Sequence, residues 1–269
     1  MGMKLFKLFY VSPLLMASLL VLGSLQSSSA QKSSTTNDSS ASDITVFSDT
    51  TNQTNEIVNG NPTSIPSAQS VYETGTMSLP TSVKSFIIFI PDEAHHVPED
   101  QKTISPKNPN YLPSTLQIPD GTEVAFVHGD PQHVHVGIVK DNGGNLVWTT
   151  TPVKHPGGSD TKSLNSDGSP YAVSDKQYTI MQGKIVVNPE KSTGTLTVGG
   201  FFCPTKDLDN CKSEFTNAGF QILSEHNFVT KSVQKDISGD NTLLIYSTPI
   251  PLKDAIDKLK PIIDSLPYK

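Results

Sequence analysis

Residues 126–135 read Phe-Val-His-Gly-Asp-Pro-Gln-His-Val-His and contain three of the chain's seven histidines. The Gly-Asp-Pro sequence is a turn signal between two alternating strands. Because side chains alternate across a strand, His133 and His135 share one face. If residues 129–132 close a hairpin, His128 lies opposite His133 and points to that same side. The stretch therefore predicts two adjacent strands that carry a cluster of imidazoles.

This imidazole cluster has two interpretations. Three rings converging from two strands would bind copper or zinc through nitrogen. Alternatively, the histidines lie on the surface of a sheet, because Val134, Val136 and Ile138 form an apolar face on the other side of the strand. The residues of this stretch alone leave both interpretations open.

Around this stretch, residues 76–190 alternate short apolar runs with turn residues. The strongest hairpin signal is Asp-Asn-Gly-Gly at residues 141–144, and a Pro-Asp-Gly turn occupies residues 119–121. Such spacing predicts a mainly β fold, an antiparallel β-sandwich or barrel. The predicted strands are Ser85–Ile90, Leu116–Ile118, Glu123–His128, His133–Lys140, Leu146–Thr150, Tyr171–Val173 and Lys184–Val187.

The pattern changes over residues 191–269. Strand patterns there alternate with two helical patterns, and the order β-α-β-β-α predicts a small α+β domain with its helices on one side of a sheet. The predicted elements are strands Thr195–Phe202, Phe220–Leu223 and Thr242–Tyr246, and helices Lys206–Asn217 and 251–265. His226 falls in this unit and is interpreted as a surface residue.

Cys203 and Cys211 are the only cysteines. In an exported protein, two cysteines close together favour a disulfide. Cys211 also lies on the apolar stripe of its predicted helix, where a buried thiol would pack as a small apolar residue. The sequence leaves the disulfide and the two thiols as alternatives.

The N-terminal residues 1–30 predict a signal peptide or an N-terminal anchor, since two lysines precede an apolar run that ends in a small-residue cleavage site. Residues 31–75 are rich in Ser, Thr and Asn and predict a disordered tether, with glycosylation sequons at Asn37 and Asn52. The folded part is therefore expected outside the cytoplasm. A membrane would be contacted only through the N-terminal segment, if that segment stays uncleaved.

Composition excludes several classes of function. All twenty basic residues are lysine, the formal net charge is −6, and no basic cluster occurs. Nucleic-acid binding is not expected, because phosphate contacts need concentrated positive charge. The sequence shows no phosphate loop, dinucleotide fingerprint, HExxH motif or nucleophile elbow. We therefore expect no enzyme.

Residues 83–188 resemble the cupredoxin family of plastocyanin-like copper proteins in three segments. Tyr111–Leu116 followed by Gly121–Val124 is similar to the family's opening strand, glycine turn and second strand. Asp130 with His133 or His135 is similar to the turn that carries its first histidine ligand. Residues 171–187, which include Met181, are similar to its closing loop, where a methionine ligand precedes glycine and the last strand. The resemblance implies a cupredoxin-like sandwich and a copper site.

The closing loop departs from the family pattern. It contains neither the family's cysteine nor its second histidine, and Cys203 lies beyond the last strand of the β unit. Without a thiolate, the blue charge-transfer band and the tuned potential of an electron shuttle are not expected.

The remaining candidate metal ligands are three imidazoles, a soft thioether and an imidazole on a Gly-rich loop. Nitrogen donors with one thioether suit copper better than zinc. Met181 could equally be a core residue, and the adjacent His95 and His96 would point apart on a strand. The candidates are His128, His133, His135, Met181 and His155.

Two functions follow from this site. The first is an exported copper-binding protein with a non-blue, histidine-rich site, for copper capture, storage or delivery. The alternative is a metal-free binding or structural module of the cell envelope, whose C-terminal unit would contact another envelope protein. The two differ in whether added copper is bound by the histidines.

Overall fold

The computed structural model describes residues 57–58, 61–62, 64–91, 110–129, 131–230 and 239–265. The predicted N-terminal segment, both sequons, Asp130, His95 and His96 lie outside these residues. Within the described ranges, no helix is both long enough and apolar enough to cross a bilayer.

The described residues form three α-helices and seventeen β-strands. The helices are α1 Ala68–Thr74, α2 Leu208–Asn217 and α3 Leu252–Ser265. The strands are β1 Ile57–Val58, β2 Asn61–Pro62, β3 Thr76–Ser78, β4 Val83–Ile90, β5 Thr115–Asp120, β6 Glu123–His128, β7 Val134–His135, β8 Gly137–Lys140, β9 Leu146–Thr149, β10 Val153–Lys154, β11 Gly157–Gly158, β12 Lys162–Ser163, β13 Tyr171–Asp175, β14 Gln182–Lys191, β15 Leu196–Pro204, β16 Gln221–Thr230 and β17 Gly239–Thr248.

Two sheets make the sandwich. One has seven strands in the order β11-β6-β4-β15-β17-β16, with β12 also paired to β6, and the other has six in the order β3-β5-β14-β13-β8-β9. The predicted mainly β class is confirmed, but the sheets are mixed rather than wholly antiparallel. Strand β4 runs parallel to both β6 and β15, and β5 runs parallel to both β3 and β14.

The parallel pairs arise because consecutive strands change sheet. The turn at residues 119–121, with Gly121 at φ 80°, carries the chain from β5 in one sheet to β6 in the other. Sheet neighbours are therefore often distant in sequence, and long connections allow them to run in the same direction. The hairpin predicted at residues 141–144 is present and joins β8 to β9 antiparallel.

The core lies between the two sheets. The ring of Phe126 on β6 lies 5.6 Å from that of Trp148 on β9 and 5.7 Å from that of Tyr111. Strand β4 is buried on both faces over most of its length, because α3 also packs against β4 and β6. An almost continuous apolar run such as residues 85–90 is typical of a strand covered on both sides.

The C-terminal elements follow the predicted order β-α-β-β-α. Their strands do not form a sheet of their own: β15 pairs with β4, β17 with β15, and β16 with β17. The C-terminal unit thus extends one sheet of the sandwich, and the proposed domain boundary near residue 190 stays a prediction.

Part of the predicted tether is ordered secondary structure. Helix α1 begins after Ser67, whose side chain accepts a hydrogen bond from the N–H of Ser70, and ends at Gly75 in the left-handed conformation. Ala68 and Val71 bury its apolar side. The polar composition of the whole segment concealed this short amphipathic turn, so the folded region begins before residue 76.

Cys203 and Cys211 form a disulfide that joins the end of β15 to α2. Both cysteines are buried. The structure thus decides between the two alternatives that the sequence left open.

Candidate metal centre

Two histidines meet inside the sandwich, at the ends of β6 and β7. The side chains of His128 and His135 are fully buried, and their ring centroids are 4.6 Å apart in an edge-to-face arrangement. Two of the three predicted imidazoles therefore lie in contact, and their role as metal ligands stays a prediction.

The predicted hairpin between the two strands is wrong. Strand β7 pairs with β10, with His135 opposite Val153, and β6 pairs with β11, with His128 opposite Gly157. Because β10 and β11 occupy these edges, residues 129–132 do not close a ladder between β6 and β7. His128 consequently faces the ring of His135 instead of lying across a ladder from His133.

The histidines face inwards, contrary to the surface interpretation. His135 and Val139 are fully buried on one side of β7 and β8, whereas Val134 on the other side is 38% exposed. The apolar face predicted from Val134, Val136 and Ile138 is thus the more exposed one. Because the buried face carries imidazoles rather than valines, polar nitrogen atoms lie in the core. Each of them needs a hydrogen-bond partner there.

Asp175, at the end of β13, supplies the partner of His135. One oxygen of its carboxylate accepts hydrogen bonds from Nδ1 of His135 at 3.0 Å and from the N–H of Val136 at 3.1 Å. The other oxygen accepts from the N–H groups of Gln177 at 2.7 Å and Tyr178 at 2.8 Å. Four donors converge on one buried carboxylate, which fixes its position.

Asp175 is therefore held as a carboxylate. Burial alone would raise the pKa of Asp175, but the hydrogen bonds from His135, Tyr178 and Gln177 outweigh it and hold the pKa below its ordinary value. The resulting negative charge lies directly against the imidazole of His135. It can stabilise positive charge on the ring or on an ion bound to it.

The hydrogen bonds also fix the tautomers of the neutral rings. Nδ1 of His135 must donate to the carboxylate, so its lone pair lies on Nε2. Nε2 of His128 donates to the carbonyl oxygen of His133 at 2.8 Å, so the lone pair of His128 lies on Nδ1. A histidine whose second nitrogen donates to a carboxylate or carbonyl is the usual arrangement of a metal ligand.

His133 joins the pair through its main chain. Its half-buried ring packs edge-on against Tyr178 with 5.7 Å between centroids, while Tyr178 also lies 5.2 Å from the ring of His135. The sequence did not predict that the main-chain carbonyl oxygen of His133 orients the ring of His128.

His155 lies between β10 and β11, on the other side of His128. Its ring centroid is 6.4 Å from that of His128, and the residue is half-buried. Nδ1 of His155 is buried and makes no hydrogen bond within the part of the chain that the structure describes. It is thus a third imidazole close to the pair but outside its contact.

Met181 is fully buried and follows the turn that Asp175 holds. Its N–H donates to the carbonyl oxygen of Tyr178 at 2.8 Å, which places it beside the same turn as the histidine contacts. Its burial is what a core residue requires, and its role as a sulfur ligand stays a prediction.

The distances between ring centroids show whether two of these imidazoles could bind the same copper ion. An ion about 2 Å from a ring nitrogen lies roughly 3.2 Å from the ring centroid, so two imidazoles on one ion have centroids about 4.5 Å apart at a right angle and about 6.4 Å apart in a linear arrangement. The 4.6 Å between His128 and His135 fits a bent arrangement, and the 6.4 Å between His128 and His155 is the linear limit.

Among the described residues, the site offers two imidazoles in contact. Within the described ranges, no three histidine, cysteine, aspartate or glutamate side chains are grouped closely enough to hold a metal. Both cysteines are in the disulfide, which leaves no thiolate. Two imidazoles suit copper(I), which accepts few ligands, better than zinc, which normally takes four.

His226 lies outside this site. It is half-buried on β16, the sheet edge opposite β11, and its ring packs 4.9 Å from that of Tyr72. It therefore serves as a matched control histidine for experiments on the pair.

Comparison with known proteins gives only distant likenesses. No protein-family profile and no curated protein sequence matches the chain. Among solved structures, it is similar to a purple cupredoxin from Nitrosopumilus maritimus, at 19% identity over 38% of this chain and 98% of that one, with a TM-score of 0.29. It is also similar to amicyanin from Paracoccus versutus, at 14% identity over 46% of this chain and 92% of that one, with a TM-score of 0.28.

A third likeness is to a larger protein. The copper-containing nitrite reductase NirK from Thermus scotoductus matches at 19% identity over 41% of this chain and 23% of its own, with a TM-score of 0.28. At these TM-scores, the likenesses carry no argument about the site.

Proposed function

We propose that this is an exported, cupredoxin-like protein that binds a copper ion between His128 and His135 for capture, storage or delivery. The observation that carries the proposal is the buried imidazole pair with centroids 4.6 Å apart, each ring oriented by a hydrogen bond from its second nitrogen. Copper is the cargo of this protein, and no catalytic turnover is proposed.

The surroundings of the pair favour copper(I). Asp175 supplies one negative charge beside His135, which offsets the single positive charge of that ion. Met181 would add a soft sulfur donor from the adjacent turn. A small number of soft and borderline ligands in a buried site discriminates against magnesium and calcium, which require oxygen ligands.

Electron transfer of the blue-copper kind is not part of the proposal. That chemistry requires a thiolate ligand, and Cys203 and Cys211 are bonded to each other. We expect a copper-loaded protein without the intense visible band of a thiolate–copper bond.

Export is supported by two features that do not depend on the metal. Residues 1–30 have the charge and apolar pattern of an export signal. The buried disulfide suits an oxidising compartment outside the cytoplasm. Membrane attachment would come only from an uncleaved N-terminal segment.

The test is a copper(I) titration of the purified full chain under anaerobic conditions, with a competing chelator to define the affinity. We expect one equivalent bound by the wild type, and loss of about 10- to 100-fold or more in affinity for His128→Ala and for His135→Ala. His226→Ala should bind as the wild type does. Equal affinity for all four proteins would refute the proposed ligands.

A metal-free envelope module is the second candidate. It is favoured by the hydrogen bond from His128 to the His133 carbonyl, which alone would account for a buried structural histidine. In that case the wild type retains no copper, and the partner would be another envelope protein bound through the C-terminal unit. Metal analysis of protein purified without chelators separates the two candidates.

A further inference from the structure

One short segment connects the two strands that pair with the histidine-bearing strands β7 and β6. Residues 153–158 run from β10, where Val153 pairs with His135, to β11, where Gly157 pairs with His128. His155 is at the middle of this segment. The fold therefore places a third imidazole across the outside of the pair.

His155 differs from the pair in exposure and in hydrogen bonding. It is half-buried, whereas His128 and His135 are fully buried. Its Nδ1 is directed into the protein, where it makes no hydrogen bond with any described residue. A buried ring nitrogen without a hydrogen-bond partner costs free energy unless something else binds it.

We propose that His155 is the exchange ligand through which copper enters and leaves the buried His128–His135 pair. This inference rests on the proposed copper function. A buried two-imidazole site has no direct contact with a donor or acceptor molecule, and the half-buried His155 offers one nitrogen donor beside it. At 6.4 Å between centroids, His155 and His128 could hold one ion only in a linear arrangement, so an ion bound between His128 and His135 has to move to reach His155.

The movement belongs to the side chain rather than to the backbone. A methyl group built at Gly158 would lie 2.7 Å from Cγ2 of Ile256 on α3 and 3.0 Å from the carbonyl oxygen of Phe126 on β6. The segment is therefore packed closely on both sides. Because the backbone is held in this way, His155 approaches the pair by rotation of its side chain. Such rotations are fast.

The experiment compares affinity with transfer rate in the full-length chain. Wild type, His155→Ala and His155→Gln are loaded with copper(I), and transfer to bicinchoninate, a coloured copper(I) chelator, is followed by absorbance after rapid mixing. We expect both variants to keep the wild-type affinity within about threefold and to transfer copper about tenfold more slowly. His226→Ala is the control and should match the wild type in both.

Three results would overturn the inference. A loss of affinity as large as that of His135→Ala would make His155 a permanent ligand. Unchanged affinity and rate in both His155 variants would leave it no role in transfer. If the wild type itself binds no copper, the proposed function fails first. Thermal unfolding of each apo variant separates these outcomes from misfolding, and the glutamine variant preserves side-chain volume if the alanine variant is unstable.

Discussion

The carboxylate of Asp175 accepts a 3.0 Å hydrogen bond from Nδ1 of His135, although the two residues are 40 positions apart in the chain. This pair connects the turn after β13 to the buried end of β7. The carboxylate orients the ring and supplies the charge beside it. Much of the candidate site's chemistry therefore depends on a residue that no local pattern around His135 reveals.

Asp175→Asn should destabilise the protein at neutral pH. The amide can still accept some of the hydrogen bonds but removes the charge, and we expect a loss of about 1 to 3 kcal/mol in the free energy of unfolding. The measurement is denaturant unfolding at pH 7. Asp257→Asn, on the exposed side of α3, is the control and should have little effect; an equal effect of the two substitutions would contradict the assigned role.

The same carboxylate should make the free energy of unfolding of the wild type fall at acid pH. The pKa of Asp175 is lowered on folding, so its contribution is present above the unfolded-state pKa of about 4 and is lost as the pH falls through the lower folded-state value. We expect unfolding free energies to fall below about pH 4, with a shallower fall in Asp175→Asn. If the unfolding free energies of the wild type and Asp175→Asn fall in parallel as the pH is lowered, other carboxyl groups cause the loss of stability.

Copper(I) should raise the thermal stability of the wild type. A ligand that binds only the native state at a concentration 100 times its Kd stabilises it by about 2.7 kcal/mol. The midpoint of unfolding should therefore increase with added copper(I) in the wild type and in His226→Ala, but not in His128→Ala or His135→Ala. An increase that survives both substitutions would place the copper elsewhere.

Removing the disulfide should lower stability without affecting copper binding. The bond closes a loop of eight residues in sequence separation, and the loop-entropy relation gives about 2 to 3 kcal/mol for a loop of this size. Cys203→Ala with Cys211→Ala should show this loss in denaturant unfolding and the wild-type affinity for copper(I). A marked fall in affinity would indicate that a cysteine takes part in the site.

Gly129→Ala should disturb the histidine pair through packing. A methyl group at this position would lie 2.9 Å from Cε2 of Phe89, against a fully buried ring. Because the adjacent strands cannot separate without breaking the hydrogen bond from Gly129 to Ile90, we expect a loss of about 1 to 3 kcal/mol. Unchanged unfolding would show that Phe89 has room to move.

The sequence predicted the elements whose patterns are local. Strand Glu123–His128 has the predicted bounds, and the hairpin at residues 141–144 follows from its turn residues. The pairing of His128 with His135 was expected for the wrong geometric reason, a hairpin that does not form. Its actual cause is the pairing of β7 with β10 and of β6 with β11, and these two-residue partner strands are too short to show any periodicity.

Other parts of the site depend on contacts that sequence patterns do not encode. Asp175 follows a predicted strand, and the only local signal was an acidic residue at a strand end. The two cysteines were consistent with a disulfide and with two thiols. The short separation of Cys203 and Cys211 suits a disulfide, whereas the position of Cys211 on the apolar stripe of a helix suits a buried thiol. The parallel pairs of the sheets could not be inferred, since their partners are separated by long connections.

The parallel pairing of β4 with β15 has a consequence for how the chain matures. An early strand in the sheet centre receives one of its neighbours only after residue 196 of 269 has been synthesised. Until then the nascent chain has an unfinished hydrophobic layer and cannot lock into its final state. If the protein is exported, as we propose, it would cross a translocation pore before this contact forms.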